Sequence, residues 1–297
     1  MNTGTGRFKP ILGVARRLLP LITVASLVFV GLVAFRNLSA LADLRPTAMS
    51  LLITGLSAAV YGAALLLVAE NWHRMLMIAG GDGLARGPSY RVFTDTQLAK
   101  YLPGNVAHVL ARHVRLKDDQ RTHGMLFRAF VFETVMIVGM AAVTAALIWI
   151  VFGKPLALTG WGSWASIAAW VVLGCAVVSF AAMMIRKAGQ SAIALLAGAG
   201  LILFFSISGG VFFAICLTFD PQASAGLAAL AIAAWIAGFV VPGAPGGLGP
   251  REAALLALAA PSLGEPTALA AIALYRVSTM LGDVVCFAIG RLFFRAT

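Results

Sequence analysis

Long apolar runs separated by short polar breaks set the pattern of this chain. Six runs, at about Leu18–Phe35, Met49–Ala69, Met125–Phe152, Ser163–Ile185, Ser191–Phe219 and Pro266–Gly290, each supply roughly the 20 apolar residues that a helix needs to cross a bilayer. They do not alternate apolar and polar positions as barrel strands do, so the pattern predicts helices. Arg45-Pro46, Gly153-Lys154-Pro155 and Asp220-Pro221 punctuate their ends. Trp149, Trp161 and Trp164 suit one membrane interface and Trp72 the other.

Two stretches depart from this pattern. Residues 75–116 are too polar for one span and too apolar for a plain loop. Residues 223–263 hold an apolar run, a Pro/Gly cluster and a short apolar stretch. The first contains Tyr101-Leu-Pro-Gly-Asn105, with Pro103 and Gly104 at its break. The second contains Pro245, Gly246, Gly247 and Gly249. Irregular backbone within a membrane is tolerated only where protein or a water-filled cavity covers it. Each stretch is therefore predicted to be a re-entrant hairpin of two half-helices. The fold class that follows is an all-α polytopic membrane protein, with about six full transmembrane helices and two re-entrant helical hairpins. Residues 1–297 form one integral membrane domain, since no segment is long or polar enough for a separate soluble one.

Basic residues orient these elements, because Lys and Arg concentrate in cytoplasmic loops. With the N-terminus inside, only Arg36, Arg45 and Lys154 fall in outside loops, while Arg128, Arg251 and Arg276 lie within membrane segments. Both termini are then cytoplasmic. The first hairpin enters from the cytoplasm and the second from outside, the opposed arrangement that inverted repeats produce.

Composition agrees with this reading: 61% of residues are hydrophobic and 11% charged, with a net charge of +11. That charge is spread among membrane loops and fits positive-inside bias and attraction to anionic lipid, not a nucleic-acid partner. Arg16-Arg17 before an apolar run resembles a signal peptide, but the run exceeds an h-region of about 7–15 residues, so an uncleaved first span is expected. Cys175, Cys216 and Cys286 sit far apart in apolar runs, without metal spacing.

Candidate chemistry gathers at the breaks. Asn105, His108, Arg112 and Arg115 fall within about 80° of one another on a helix, with Lys100 just before the break. This stripe is either an interfacial face meeting lipid phosphates or an anion path into a cavity. Gly249-Pro250-Arg251-Glu252 reads as a helix start, whose free N–H groups suit a phosphate or carboxylate. The alternative is a structural break with Glu252 as its cap. The glycines lack the Gly-Lys-Ser/Thr of a phosphate loop, and no strand precedes them.

Glu133, Arg276 and Asp283 are ionisable residues within spans, where such residues usually face the bundle interior in pairs. Arg276 and Asp283 share a helix face with Thr279, and each is expected to pair across to another helix. The pairings anticipated are Glu252 with Arg276, Arg251 with Asp283, and Glu133 with His108 or Arg112. These charges are fixed salt bridges or a gate. No catalytic set, metal site or cofactor motif stands out. His108 and His113 are five apart and do not share a face as ligands four apart would.

Lys100-Tyr-Leu-Pro-Gly104 followed by Arg112, and Pro245-Gly-Gly-Leu-Gly-Pro-Arg-Glu-Ala-Ala254 followed by Tyr275-Arg276, resemble the two signatures of the lysylphosphatidylglycerol synthase transmembrane-region family, also called the flippase-like domain family. The resemblance covers residues 10–295. It implies a multi-pass protein of a bacterial or archaeal cytoplasmic membrane that moves a phosphate-bearing lipid between leaflets. Lys100, Pro103, Gly104 and Arg112 match the first signature; Gly246, Gly247, Gly249, Arg251, Glu252 and Arg276 match the second. The soluble aminoacyl-transferase domain of the synthases is absent from this sequence, and Pro250 stands where a small aliphatic residue is expected.

The expected function is thus lipid transport through a cationic midplane cavity. Its headgroup site comprises Lys100, His108, Arg112, Arg251, Glu252 and Arg276, with Glu133 and Asp283 as charge partners or gate. The alternatives are a membrane enzyme acting on a lipid-linked substrate, or a small-solute or ion exchanger. Expected partners are anionic or phosphate-bearing membrane lipids, with a homo-oligomer and a separate lipid-modifying enzyme as further options.

Overall fold

The computed structural model describes residues 47–81, 84–101, 107–116, 122–153, 188–241 and 245–294, with side chains from 191 in the fifth of these stretches. The expected spans Leu18–Phe35 and Ser163–Ile185 lie outside them, as do Pro103, Gly104, Asn105, Cys175, Trp161 and Trp164. All regular structure among the described residues is helical. Four long helices dominate: α1 (Ala48–Ile78), α4 (His123–Phe152), α5 (Ala188–Leu217) and α8 (Glu265–Phe293). All four are long and apolar enough to cross a membrane. Between them lie α2 (Arg86–Gln97) and α3 (Ala107–Leu116), then α6 (Leu227–Val240) and α7 (Pro250–Leu263).

Local chemistry sets the helix starts. The Thr47 hydroxyl accepts the Ser50 N–H at 3.1 Å, and Thr122 accepts the Met125 N–H at 3.2 Å, each satisfying a free donor of a first turn. The second apolar run was expected to end near Ala69, but α1 continues to Ile78. Its last turns carry Glu70, Asn71, His73 and Arg74, which suit a helix leaving hydrocarbon. Its 31 residues span about 46 Å at 1.5 Å per residue, more than the ~30 Å core of a bilayer.

Each irregular stretch holds two short helices and one 3₁₀ turn among its described residues. A 3₁₀ turn, Leu98–Tyr101, follows α2 before α3, and another, Pro245–Gly247, lies between α6 and α7. None of these four helices exceeds 14 residues, or about 21 Å, so none alone crosses a bilayer core.

Polarity runs opposite to that of a water-soluble bundle. Leu52, Leu56 and Val60 of α1, Val135 and Val151 of α4, and Leu196 and Leu203 of α5 are exposed, while Arg112, Glu133, Arg251, Arg276 and Asp283 are buried. An apolar exterior around buried charge is what hydrocarbon as the outer solvent demands. With no hydrophobic drive between spans, close packing joins them through small residues. At the α1–α8 crossing, a Cβ on Gly62 would lie 2.6 Å from the Gly282 carbonyl oxygen. Nearby, the Ser278 hydroxyl donates to the Thr54 carbonyl at 3.1 Å.

Helix α8 is the spine, packing against α1, α2, α5 and α7. Its C-terminal end is tied to the first helix pair by Asp95 of α2, which meets Arg91 at 3.1 Å, Arg115 of α3 at 2.5 Å and Arg291 of α8 at 3.0 Å. Beside it, Tyr90 donates to Glu70 at 2.5 Å. Burial, and then this hydrogen bond, raise the Tyr90 phenol above its usual range.

Candidate functional site

The two turns meet. Leu98–Tyr101 and Pro245–Gly247 are in contact, with the Tyr101 ring against Gly246. The second turn depends on glycine: Gly246 has φ 57°, Gly247 φ 73° and Gly249 φ 92°, a region that costs other residues strain. Glycine also admits close approach at Gly238, where a Cβ would stand 2.7 Å from Arg251 Cβ. That contact sets α6 against α7 and aims Arg251 inward.

Helix α8 supplies one charge to each turn. The Arg276 Nη2 donates to the Gly246 carbonyl at 2.9 Å, and its Nε lies 3.2 Å from Glu252. Seven residues on, Asp283 is fully buried. It accepts from Lys100 Nζ at 2.7 Å and from the Tyr101 hydroxyl. The expected Arg276–Glu252 pair is therefore made, and the expected Arg251–Asp283 pair is not. Two helical turns separate Arg276 from Asp283, about 10 Å along the axis, so Asp283 reaches the first turn while Arg251 stays near the second.

Arg112 takes Glu133 at 2.8 Å, closing α3 onto α4. Its guanidinium also lies 4.2 Å from the Phe93 ring centre and 5.3 Å from that of Trp72, a cation held on aromatic faces. Gln97 stands between this pair and the next, 3.5 Å from Arg112 and 3.4 Å from Asp283, at the outer limit of hydrogen bonding.

A cavity of about 130 Å³ lies where these elements converge. This is well above the ~10–15 Å³ that one water requires. Its lining combines polar residues, Lys100, His108, Arg112, Glu133, Arg251 and Arg276 among them, with apolar ones such as Leu65, Phe204 and Trp235. Gly246 and Gly247 face it as well, so the second break lines this space.

The cationic residues anticipated from the sequence thus gather on one cavity, in unlike states. Lys100, Arg112 and Arg276 are each matched by a carboxylate. Arg251 is not. It is 6% exposed, it lies over the Tyr275 ring at 4.9 Å, and its Nη2 is enclosed without a hydrogen-bond partner. The Nδ1 of His108 is likewise enclosed and unpartnered. Glu252 does not line the cavity. One of its oxygens accepts the Gly249 N–H at 2.6 Å and the other faces Arg276, so it caps α7 and occupies a backbone donor expected to be open to ligand.

The sequence reading missed Tyr61, Gln97, Tyr101 and Tyr275. Tyr101 and Tyr275 stood within the quoted motifs, and a phenol amid apolar residues signals a partner, since a buried hydroxyl rarely goes unbonded. Tyr275 meets the Ser208 hydroxyl at 3.0 Å. Tyr61, within the apolar run Ala58–Val68, carried the same signal, and Gln97 carried none. Among the described residues no group of three or more His, Cys, Asp or Glu could hold a metal ion. Each carboxylate at the site is engaged by a cation, so the arrangement is suited to holding an anion. Comparison of the chain with family models, with curated proteins and with solved structures finds no match.

Proposed function

We propose that this protein moves a phosphate-bearing lipid between membrane leaflets, its headgroup entering the cavity between the two turns while its tails stay in hydrocarbon. The observation that carries the reading is Arg251, buried on that cavity without a counter-ion. An isolated charge is costly in a dry interior, and an anionic ligand removes the cost. The apolar residues in the same lining suit the chain end of the same molecule, as an amphiphile requires.

In this reading the two short-helix pairs are opposed re-entrant hairpins, their legs too short to cross, and the whole chain has six full spans with both termini in the cytoplasm. Broken helices meeting near the midplane are where transporters bind their cargo. The resemblance to flippase-like domains supports the lipid as substrate and a bacterial or archaeal cytoplasmic membrane as location; it rests on the two motifs alone.

Reconstitution into vesicles with a tail-labelled phospholipid tests the proposal, with leaflet exchange read by quenching of the outer leaflet. The wild-type chain should accelerate exchange, and a stably inserted Arg251→Ala variant should not. Equal exchange by both would discard the site. A chemically altered lipid found by mass spectrometry would instead favour an enzyme.

A further inference from the structure

We infer that the cavity is matched to a ligand with one net negative charge, a phosphodiester monoanion, in preference to a phosphomonoester dianion or a zwitterionic headgroup. The lipid source of that diester rests on the transport reading above; its charge rests on the pairing of groups around the cavity.

Among the described residues, three of the four Lys and Arg side chains that line the cavity are already neutralised. Lys100 meets Asp283 at 2.7 Å, Arg112 meets Glu133 at 2.8 Å, and Arg276 meets Glu252 at 3.2 Å. Arg251 is the remainder. Its Nη2 is enclosed and unpartnered, and no carboxylate among the described residues lies within ion-pair distance of it.

One negative charge therefore leaves the filled site neutral. A dianion would leave an excess negative charge enclosed, and a zwitterion would bring a second cation beside Arg251; in a low-dielectric interior either mismatch is costly. His108 sharpens the choice. It lines the same cavity, its Nδ1 enclosed without a partner, and a neutral imidazole adds a hydrogen bond without altering the balance.

The test uses the full chain in phosphatidylcholine vesicles at pH 8, each carrying one tail-labelled tracer: phosphatidylglycerol, phosphatidic acid or phosphatidylethanolamine. Phosphatidylglycerol should exchange on the order of tenfold or more faster than the other two. Arg251→Gln should erase that preference and Arg251→Lys should keep it. If Arg251→Gln fails to insert, the three wild-type rates decide alone.

Equal wild-type exchange of phosphatidylglycerol and phosphatidylethanolamine overturns the charge assignment and leaves lipid transport standing. A parallel arm measures retention of soluble glycerophosphoglycerol by equilibrium dialysis. Retention of this diester with no lipid exchange upholds the monoanion match and overturns the lipid source. Neither retention nor exchange overturns both.

Discussion

The Tyr101 ring lies against the backbone of Gly246, so closely that a Cβ on Gly246 would stand 2.8 Å from ring carbons Cδ1 and Cε1. Residues 145 apart in the chain thus join the two turns in direct contact. The same ring donates its hydroxyl to Asp283, and the guanidinium of Arg276 lies 6.0 Å from its centre. One aromatic side chain thus touches both turns and α8, beside the Arg276–Gly246 and Lys100–Asp283 contacts.

Gly246→Ala should therefore destabilise twice over, through its φ of 57° and through the collision with Tyr101. A loss of about 1–3 kcal/mol is expected. It would be read as a lower unfolding midpoint in detergent. Tyr101→Ala carries its own cost through the lost bond to Asp283, so a double-mutant cycle is needed: the two changes together should cost less than the sum of the singles, and an unchanged midpoint for Gly246→Ala would contradict the contact.

Asp283 is enclosed between Lys100 and Tyr101. Asp283→Asn should cost about 3–5 kcal/mol, because it strands the ammonium group of Lys100, which is only 20% exposed. Lys100→Met together with Asp283→Asn should cost much less than the sum of the single changes. A double-mutant cycle by thermal or denaturant unfolding measures the difference, and additive losses would show that the pair is not coupled.

Arg112 and Glu133 distinguish a fixed bridge from a gate. Either single substitution should be strongly destabilising, whereas Arg112→Met with Glu133→Leu should be nearly neutral for stability. Vesicle exchange measured on that stable double variant gives the role. Retained transport marks a structural bridge, and loss of transport at wild-type stability shows that the pair acts in transport, as gate or headgroup contact.

The α1–α8 crossing offers a control away from the cavity. Gly62→Leu places a side chain where even a Cβ would meet Val285 at 2.7 Å, so overpacking should cost about 1–3 kcal/mol or prevent folding. Gly55→Leu, on the same helix with open space around its Cβ position, should leave the unfolding midpoint near that of the parent.

The apolar runs at 49–69, 125–152, 191–219 and 266–290 were legible in the chain because a bilayer imposes a length on them, and four long helices occupy these places. Both Pro/Gly clusters were legible as breaks because glycine and proline act locally. Arg276 and Glu252 were legible as partners because each sat beside a feature that needed the other. What sequence could not show was rotation: which side of α8 faces which turn depends on packing such as that at Gly62 and Gly282, which no motif marks. Hence Asp283 went to Lys100 and Tyr101, and Arg251 remained alone.

By itself the sequence determined the solvent, the helical class and the inventory of charge, since these depend on composition and spacing along one dimension. Only the tertiary structure decided that Asp283 pairs with Lys100 and that Arg251 goes without a carboxylate. Ion pairing acts over a few ångströms in space between residues as far apart as Lys100 and Asp283, and no spacing along the chain encodes that distance.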